Sequence, residues 1–239
     1  AGAYRCYQGG LPNASFTGWI RGDGGWLWFD RSSEPIRSSW VSDGGAWYYV
    51  GADGLMCTGW KRIGSSWYYF DASGAMVIRW RRVDDSWSFF APSGQMQTGW
   101  LFDGGSWYWI DPSGQMQVGW QRVGGSWYYL GTNGAMATGW LRQGGTWYWL
   151  GSSGAMATGW QKVAGEWYYL DADGAMVTGW EKVSGLWYHF SGSGQMSTGW
   201  LDLDGSWYYL GTDGAMVMGT EWIDDVEYQF GPTGALLGA

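Results

Sequence analysis

The sequence predicts an all-β solenoid built from about eleven β-hairpin repeats of 20 residues each. One observation is a series of tryptophans that recurs every twenty residues, from Trp40 to Trp200. A second tryptophan series follows seven residues after the first, from Trp47 to Trp207. A glycine series and a methionine series keep the same period. Self-similarity at a fixed period of this length is the signature of a repeat architecture.

A single repeat shows why each unit is predicted to be a hairpin. Residues 118–123 (VGWQRV) predict a short strand, and Gly124 and Gly125 predict a tight turn, because paired glycines accept positive φ. Residues 126–130 (SWYYL) are aromatic and favour a second strand, and residues 131–134 (GTNG) predict a second turn. A helix is disfavoured, since each glycine costs about 1 kcal/mol in a helix interior.

The repeats are expected to stack, because a lone two-stranded hairpin is at best marginally stable in water. Residues 1–18 are interpreted as a partial N-terminal capping repeat, 19–219 as the repeat array, and 220–239 as a degenerate C-terminal capping repeat. In that last repeat Thr220 and Glu227 occupy the two tryptophan places. Degenerate end repeats are typical of capped arrays.

The composition argues against several classes of partner. Only 14% of the residues are charged and the net charge is -8, so a nucleic-acid partner, which needs clustered Lys and Arg, is not expected. No apolar run approaches the roughly 20 residues that span a bilayer, so membrane insertion is not expected either. An acidic surface weakly attracts cationic ligands.

The sequence holds no recognisable catalytic constellation, so no enzyme activity, metal or cofactor is expected. No Ser/His/Asp set, metal-ligand cluster or phosphate loop is apparent. The one histidine, His189, is expected to be a solvent-facing strand residue. A catalytic domain elsewhere in a longer gene product stays an open alternative.

Variation between the repeats indicates which places are constrained. Counting from the first tryptophan of a repeat as place 0, the second tryptophan is place 7 and place 8 is almost always tyrosine. Ser88 is the exception among the regular repeats, and Leu27 occupies place 8 in the irregular first one. Place 9 varies among Tyr, Trp, Phe and His, whereas place 10 is always apolar, which fits packing. At place 8 packing alone would also admit phenylalanine.

Two tryptophans and a tyrosine from adjacent repeats could form an open-sided box for a quaternary ammonium. Tryptophan offers the strongest π face for a cation, and a methionine beside the box adds a soft apolar wall. The alternative is that these aromatic residues only form the core of the solenoid. That alternative does not explain why tryptophan is preferred to Leu or Phe at two places in each repeat.

The pattern TGW-x6-WYY(L/F)-x3-GAM-x-TGW resembles the choline-binding repeats of Gram-positive surface proteins and phage lysins. The heptapeptide GAMATGW, at residues 134–140 and 154–160, is nearly a consensus unit, and the resemblance covers residues 16–219. It implies that the hairpins wind into a left-handed superhelix with about three hairpins per turn. It also implies that choline lies between consecutive hairpins, against the tryptophans of one repeat, the place-8 tyrosine of the next and often a methionine.

Carried over place by place, the resemblance implies nine choline-binding triads. They are Trp19 and Trp26 with Tyr48, Trp40 and Trp47 with Tyr68, Trp80 and Trp87 with Tyr108, Trp100 and Trp107 with Tyr128, Trp120 and Trp127 with Tyr148, Trp140 and Trp147 with Tyr168, Trp160 and Trp167 with Tyr188, Trp180 and Trp187 with Tyr208, and Trp200 and Trp207 with Tyr228. Trp60 and Trp67 meet Ser88 instead, so that site is expected to be damaged.

The resemblance therefore implies a secreted, non-catalytic module that attaches to choline-decorated teichoic acid of a cell wall. Its ligand would be choline or another quaternary or tertiary amine. One alternative is a glycan-binding module for α-glucans, although such repeats usually lack the place-7 tryptophan. A further alternative is a structural repeat protein that forms a surface fibre.

The two cysteines, Cys6 and Cys57, are too few for a disulfide scaffold. The winding that the resemblance implies would place Cys6 about one superhelical turn from the region of Cys57. An extracellular protein could then form a disulfide there, and two unrelated thiols are the alternative.

Overall fold

The structure is a computed structural model that describes residues 7–8, 11–12 and 15–238. Regular secondary structure in these residues consists of β-strands alone. No helix in the described part of the chain could therefore cross a membrane. The predictions of an all-β fold and of repeated hairpins are confirmed.

The chain divides into two compact units, Ala1–Val118 and Gly119–Ala239. In the first unit the strands pair antiparallel two by two, each odd-numbered strand with the strand that follows it, and each pair is a separate two-stranded sheet. Its strands are β1 (Tyr7–Gln8), β2 (Leu11–Pro12), β3 (Thr17–Gly22), β4 (Gly25–Asp30), β5 (Ser39–Asp43), β6 (Ala46–Val50), β7 (Gly59–Ile63), β8 (Ser66–Phe70), β9 (Arg79–Val83), β10 (Ser86–Phe90), β11 (Gly99–Asp103) and β12 (Ser106–Ile110).

The second unit has the same pairing within its hairpins and ends in a three-stranded sheet of β23, β24 and β25. Its strands are β13 (Gly119–Val123), β14 (Ser126–Leu130), β15 (Gly139–Gln143), β16 (Thr146–Leu150), β17 (Gly159–Val163), β18 (Glu166–Leu170), β19 (Gly179–Val183), β20 (Leu186–Phe190), β21 (Gly199–Leu203), β22 (Ser206–Leu210), β23 (Gly219–Ile223), β24 (Val226–Phe230) and β25 (Leu236–Gly238).

The hairpin turns have the positive φ angles that the glycine pairs predict. Gly124 and Gly125, between β13 and β14, have φ of 59° and 91°. Two successive positive φ values are typical of the tight turn whose twist matches that of the flanking strands. Asp84 and Asp85 adopt the same geometry between β9 and β10, with φ of 48° and 66°. Aspartate tolerates this conformation better than most residues with a side chain.

A second turn follows the hairpin of each regular repeat and folds the chain back onto the strand it has just left. After β16, the Gly154 N–H donates to the Gly151 carbonyl at 2.8 Å, and the Gly151 N–H donates to the Ala155 carbonyl at 2.9 Å. The Ala157 N–H then donates to the carbonyl of Trp149 at 2.8 Å. One repeat is therefore a hairpin with a returning segment along its second strand.

A side chain closes this second turn, and its position in the turn varies. Where place 11 is aspartate, as at Asp71, its carboxylate accepts hydrogen bonds from the backbone N–H groups of Ser73 (2.8 Å) and Ala75 (3.2 Å) and from the Ser73 hydroxyl. The Ser73 hydroxyl is the main cause that lowers the pKa of Asp71. Where place 11 is glycine, a side chain at place 13 takes over, so Asn133 accepts from the Ala135 N–H at 3.1 Å.

Neighbouring repeats are joined through the methionine series. The backbone N–H of Met156 donates to the carbonyl of Trp127, in the preceding repeat, at 2.8 Å. The Met156 side chain passes beneath Gly174 of the following repeat, where a Cβ atom would lie 2.5 Å from its Sδ. Glycine is therefore required at place 14 for two reasons, a φ of 81° at Gly174 and this close approach.

In both compact units the side chains at place 10, the last residue of the second strand of each regular repeat, are fully buried. None of them is more than 1% exposed, and they are Val50, Phe70, Phe90, Ile110, Leu130, Leu150, Leu170, Phe190 and Leu210. Side chains alternate between the two faces of a strand, so the place-8 side chain projects from the same face as the buried place-10 side chain. This burial is what the apolar place 10 predicts.

Cys6 lies outside the described residues, so the disulfide stays a prediction. Cys57 is half-buried and has no disulfide partner among the described residues, and burial is the main cause that raises the pKa of its thiol.

Candidate functional site

The register of each hairpin places the two tryptophans of a repeat on one face. In the pair β13–β14, Trp120 lies opposite Tyr129, and Arg122 lies opposite Trp127. Residues two apart in a strand share a face, so all four side chains project on the same side. Tyr128 shares the opposite face with the buried place 10. The next hairpin can therefore present its place-8 tyrosine to the tryptophans of the one before.

Trp120, Trp127 and Tyr148 meet in this way in the second compact unit. The rings of Trp120 and Trp127 are perpendicular, with centroids 6.5 Å apart, and the ring of Tyr148 lies 5.0 Å from Trp120 at 67°. Together with Met156 and Asp173 they line a cleft of about 340 Å³. The sequence predicted the three rings and a methionine, but not the residue at place 13 of the repeat after next.

The same arrangement recurs twenty residues later. The ring centroid of Trp140 lies 6.3 Å from that of Trp147 and 4.8 Å from that of Tyr168. These rings line a cleft of about 230 Å³ together with Met176 and Ser193. Ser193 stands at the place that Asp173 occupies in the cleft before it. We call this residue, at place 13 of the repeat after next, the rim residue of the cleft. It differs between the two clefts, whereas their aromatic residues are the same types.

A third cleft, of about 380 Å³, involves the C-terminal repeat. It is lined by Trp180, Trp187, Tyr208, Met216 and the 232–233 segment, which is Pro-Thr. The Trp180 and Tyr208 rings are 5.0 Å apart. The rim of this cleft also comes from the repeat after next. That repeat is the C-terminal one, in which Thr220 and Glu227 occupy the tryptophan places.

Most of the other predicted triads show the same contact between the place-0 tryptophan and the next place-8 tyrosine. Centroid distances are 5.2 Å for Trp19–Tyr48, 5.0 Å for Trp40–Tyr68, 4.9 Å for Trp80–Tyr108, 4.8 Å for Trp160–Tyr188 and 4.9 Å for Trp200–Tyr228. The triad of Trp100, Trp107 and Tyr128 has members in both compact units and stays a prediction. Ligand binding at every triad is a prediction.

The site at Trp60 and Trp67 keeps its tryptophans without the tyrosine. Their centroids are 6.4 Å apart at 88°, as in the complete sites, and Ser88 at place 8 is only 2% exposed. The ring of Phe90 lies 5.6 Å from Trp60, and the Trp60 indole N–H donates to the Asp84 carboxylate at 3.4 Å. The aromatic pair is therefore built, and one wall is reduced to a hydroxymethyl group.

Some of the second tryptophans already carry a cation from their own hairpin. The guanidinium of Arg142 lies 6.0 Å from the ring centroid of Trp147. The ammonium of Lys162 lies 5.7 Å from the ring of Trp167, and that of Lys182 lies 5.9 Å from the ring of Trp187. These pairs show that the exposed indoles of this chain are disposed to accept a cation.

The expectation that His189 faces solvent holds only in part, because the side chain is half-buried. Its ring packs on Trp180 with centroids 5.1 Å apart, and its Nδ1 lies 2.9 Å from the Ser197 hydroxyl. Desolvation by burial lowers the pKa of His189. Place 9 supports the back of the place-0 tryptophan in each repeat, as Tyr129 does for Trp120 at 5.3 Å, and His189 keeps that role.

The described residues contain no group of three or more His, Cys, Asp or Glu that could hold a metal ion. What the site offers is aromatic surface, thioether and, at one rim, a carboxylate.

The repeats that build these cages match a known protein family. The family model of the choline-binding repeat matches residues 37–79, 77–118, 117–159, 157–199 and 177–222. The chain belongs to the choline-binding repeat family. A search of the curated proteins found no match.

Solved structures agree with this assignment. CbpJ from Streptococcus pneumoniae TIGR4 is 32% identical, with a TM-score of 0.75 over 98% of this chain and 96% of that one. Choline binding protein F from Streptococcus pneumoniae is 28% identical, with a TM-score of 0.66 over 91% of this chain and 92% of that one. The modular autolysin LytC from Streptococcus pneumoniae is 26% identical, with a TM-score of 0.62 over 92% of this chain and 52% of that one.

Proposed function

We propose that this chain is a non-catalytic module that binds the quaternary ammonium groups of choline in the cages between adjacent hairpins. Its natural target would be a cell-wall polymer, such as teichoic acid, that displays choline repeatedly. The nine predicted triads are the proposed sites, with the Trp120, Trp140 and Trp180 clefts as the best defined.

The observation that carries the proposal is the exposure of the place-7 tryptophans. Each is 39–49% exposed, and they are Trp26, Trp47, Trp67, Trp87, Trp107, Trp127, Trp147, Trp167, Trp187 and Trp207. A tryptophan that served only as core would be largely buried, as the place-10 residues are. Trp127 and Trp147 instead line clefts, where an exposed indole offers its π face to a ligand.

The chemistry of the cage favours a methylated cation. Perpendicular indole rings present two π faces, and a quaternary ammonium bears methyl groups that need no hydrogen-bond acceptor. The Met156 thioether completes an apolar wall at the Trp120 cleft. The net charge of -8 adds a weak attraction for cations.

Each cage would bind choline weakly, because a cation–π contact contributes about 0.5–2 kcal/mol. A polymer that displays many choline groups would engage several cages together. Once the first choline is bound, the others are held at a high effective concentration, so attachment is far tighter than one site allows. The repeated architecture therefore suits attachment to a surface better than capture of a free small molecule.

The relatives support a location at the cell wall. Choline binding protein F has been solved in the presence of a peptidoglycan analogue, and the autolysin LytC in complex with a synthetic peptidoglycan ligand. A secreted, surface-associated chain would meet the same surroundings, and this location is part of the proposal.

Calorimetric titration of the full chain tests the proposal. Choline, its neutral isostere 3,3-dimethylbutan-1-ol and dextran are compared at equal concentrations. We expect saturable heat from several choline sites, affinity for the neutral isostere lower by roughly fivefold or more because the cation–π term is lost, and no heat from dextran. Heat with dextran and none with choline would instead support the glycan alternative.

A further inference from the structure

The cages of Gly119–Ala239 differ in one wall, the rim residue that comes from the repeat after next. It is Asp173 in the Trp120 cleft and Ser193 in the Trp140 cleft. A carboxylate at the mouth of a cation cage attracts the ligand by a Coulombic interaction that a hydroxyl cannot supply. The aromatic walls of the two cages are otherwise alike.

Asp173 is free to act on a ligand because its neighbour closes the turn. The Asp171 carboxylate accepts hydrogen bonds from the backbone N–H groups of Asp173 and Ala175, both at 2.9 Å. Within the described residues, the Asp173 carboxylate itself has no hydrogen-bond or ion-pair partner and is exposed.

Asp213, at the same place two repeats later, shows the contrast. Place 11 of its repeat is Gly211, which has no side chain, so the Asp213 carboxylate accepts the Ala215 N–H at 3.0 Å and closes its own turn. In the repeat of Asp173, places 11 and 13 are both aspartate. Asp171 closes the turn, so the Asp173 carboxylate is available to a ligand in the cleft.

A second feature favours a cation at the same cleft. In the three following repeats a guanidinium or ammonium lies within 5.7–6.0 Å of the second tryptophan of the cage, at Trp147, Trp167 and Trp187. No such contact is found for Trp127 in the described structure, although Arg122 lies opposite it across the hairpin. The Trp127 ring is thus without a built-in competitor for its π surface.

We propose that Asp173 is a specificity-determining residue that makes the cage of Trp120, Trp127 and Tyr148 the tightest quaternary-ammonium site of Gly119–Ala239. This inference rests on the proposed function. Asp173 selects a cation that carries methyl groups. A neutral molecule of the same shape should bind more weakly at this cage. The cages of Gly119–Ala239 therefore form a graded set, in which the Trp120 cage fills first.

Site-resolved titration separates this cage from its neighbours. The full chain is labelled with 15N-tryptophan, and choline is added while the indole N–H resonances of Trp127 and Trp147 are followed, each assigned by a Trp→Phe variant. We expect Trp127 to reach half-saturation at a lower choline concentration than Trp147. Asp173→Asn should weaken binding at Trp127 by roughly fivefold at low salt, leaving Trp147 unchanged, and the difference should shrink in 1 M NaCl.

Two further variants make the result specific to the rim. Ser193→Asp should tighten binding at Trp147, because it brings a carboxylate to the second cleft while Ser191 continues to accept the Gln195 N–H. Glu166→Gln removes the same charge from an exposed position of the repeat that carries Asp173, and binding at Trp127 should not change.

The outcomes distinguish the inference from the function beneath it. Equal affinities at Trp127 and Trp147, or an Asp173→Asn variant that binds as the original does, would overturn the role of Asp173. An equal loss in Glu166→Gln would also overturn it, because net charge would then be the cause. Absence of any choline-dependent shift in the unaltered chain would instead overturn the proposed function.

Discussion

The ring of Tyr148 meets the ring of Trp120 edge-on, with centroids 5.0 Å apart and planes at 67°. The two residues belong to consecutive hairpins and project from opposite faces of them. The same contact therefore packs one hairpin on the next and builds a wall of the cage. A ligand bound there touches both hairpins, so binding should also stabilise their stacking.

Replacing Tyr148 separates its ring from its hydroxyl. Tyr148→Phe keeps the π wall, and we expect choline affinity at Trp127 to change less than about threefold. Tyr148→Ser removes the wall, and it should reduce the calorimetric choline stoichiometry by one site. It should also lower the free energy of unfolding by about 1–3 kcal/mol, since the ring packs on Trp120.

Comparing the stoichiometry with the stability decides between cage and core. If Tyr148→Ser lowers stability while every choline site remains, the aromatic residues serve as core alone. A Tyr148→Phe variant as damaged as Tyr148→Ser would show that the hydroxyl is the required group.

Ser88 provides the reverse experiment within the same chain. Trp60 and Trp67 already stand in the cage geometry, at 6.4 Å and 88°, but lack the third ring. We expect this position to stay empty at choline concentrations that fill the Trp120 cage, and Ser88→Tyr to add one binding site. The readout is the stoichiometry of choline binding, with choline-soaked crystals of both chains to locate the new density.

The burial of Ser88 limits the space available to a tyrosine at this position. The Ser88 side chain is only 2% exposed, so a tyrosine must displace whatever packs against it in order to reach Trp60. If Ser88→Tyr folds with unchanged stability but gains no site, three aromatic rings in this register are not sufficient for binding. Choline density beside Trp67 in the unaltered chain would show that the tyrosine wall is wrongly assigned.

The repeat made most of this architecture predictable from sequence. Strand β14 runs from Ser126 to Leu130, the residues that the SWYYL motif predicts, and the alternation of side chains then fixes which of them share a face. Position 173 was not predicted to reach Trp120, because that contact depends on how three successive repeats stack. The half-burial of His189 was missed because its strand position was judged without the neighbouring rings.

Protonation of His189 should weaken the fold in mild acid. Burial against Trp180 lowers the pKa of His189 below its ordinary value of about 6.5, so the unfolded chain binds the proton more readily. Its contribution to stability is therefore complete above the ordinary pKa, and it falls as the pH drops through that value towards the folded-state pKa. His189→Tyr, which restores the common place-9 residue, should remove this dependence.

The measurement for His189 is the midpoint of urea unfolding at pH 7.5 and pH 5. We expect the difference between His189→Tyr and the unaltered chain to be larger at pH 5. The Trp180 cage should also bind choline more weakly at pH 5, because an imidazolium would then lie behind its tryptophan. A difference between the two chains that is the same at both pH values would contradict a lowered pKa of His189 in the folded chain.

Gly174 and Gly179 allow the Met156 contact to be tested apart from backbone strain. Both have positive φ, 81° and 75°, so alanine at either position costs roughly 1–2 kcal/mol in conformational energy. A Cβ atom at Gly174 would also lie 2.5 Å from Met156 Sδ, whereas nothing lies within 4 Å of a Cβ at Gly179. Gly174→Ala should therefore force Met156 to move, and Gly179→Ala should not.

Because Met156 lines the Trp120 cleft, moving it should weaken choline binding there as well as destabilise the chain. We expect Gly174→Ala to lose more stability than Gly179→Ala and, alone of the two, to weaken binding at Trp127. In a double-mutant cycle, Met156→Ala should cancel the additional loss of stability, because it removes the atoms that a Cβ at position 174 would meet. Additive effects in that cycle, or equal losses of affinity in the two glycine variants, would show that the methionine neither blocks the Cβ nor shapes the cage.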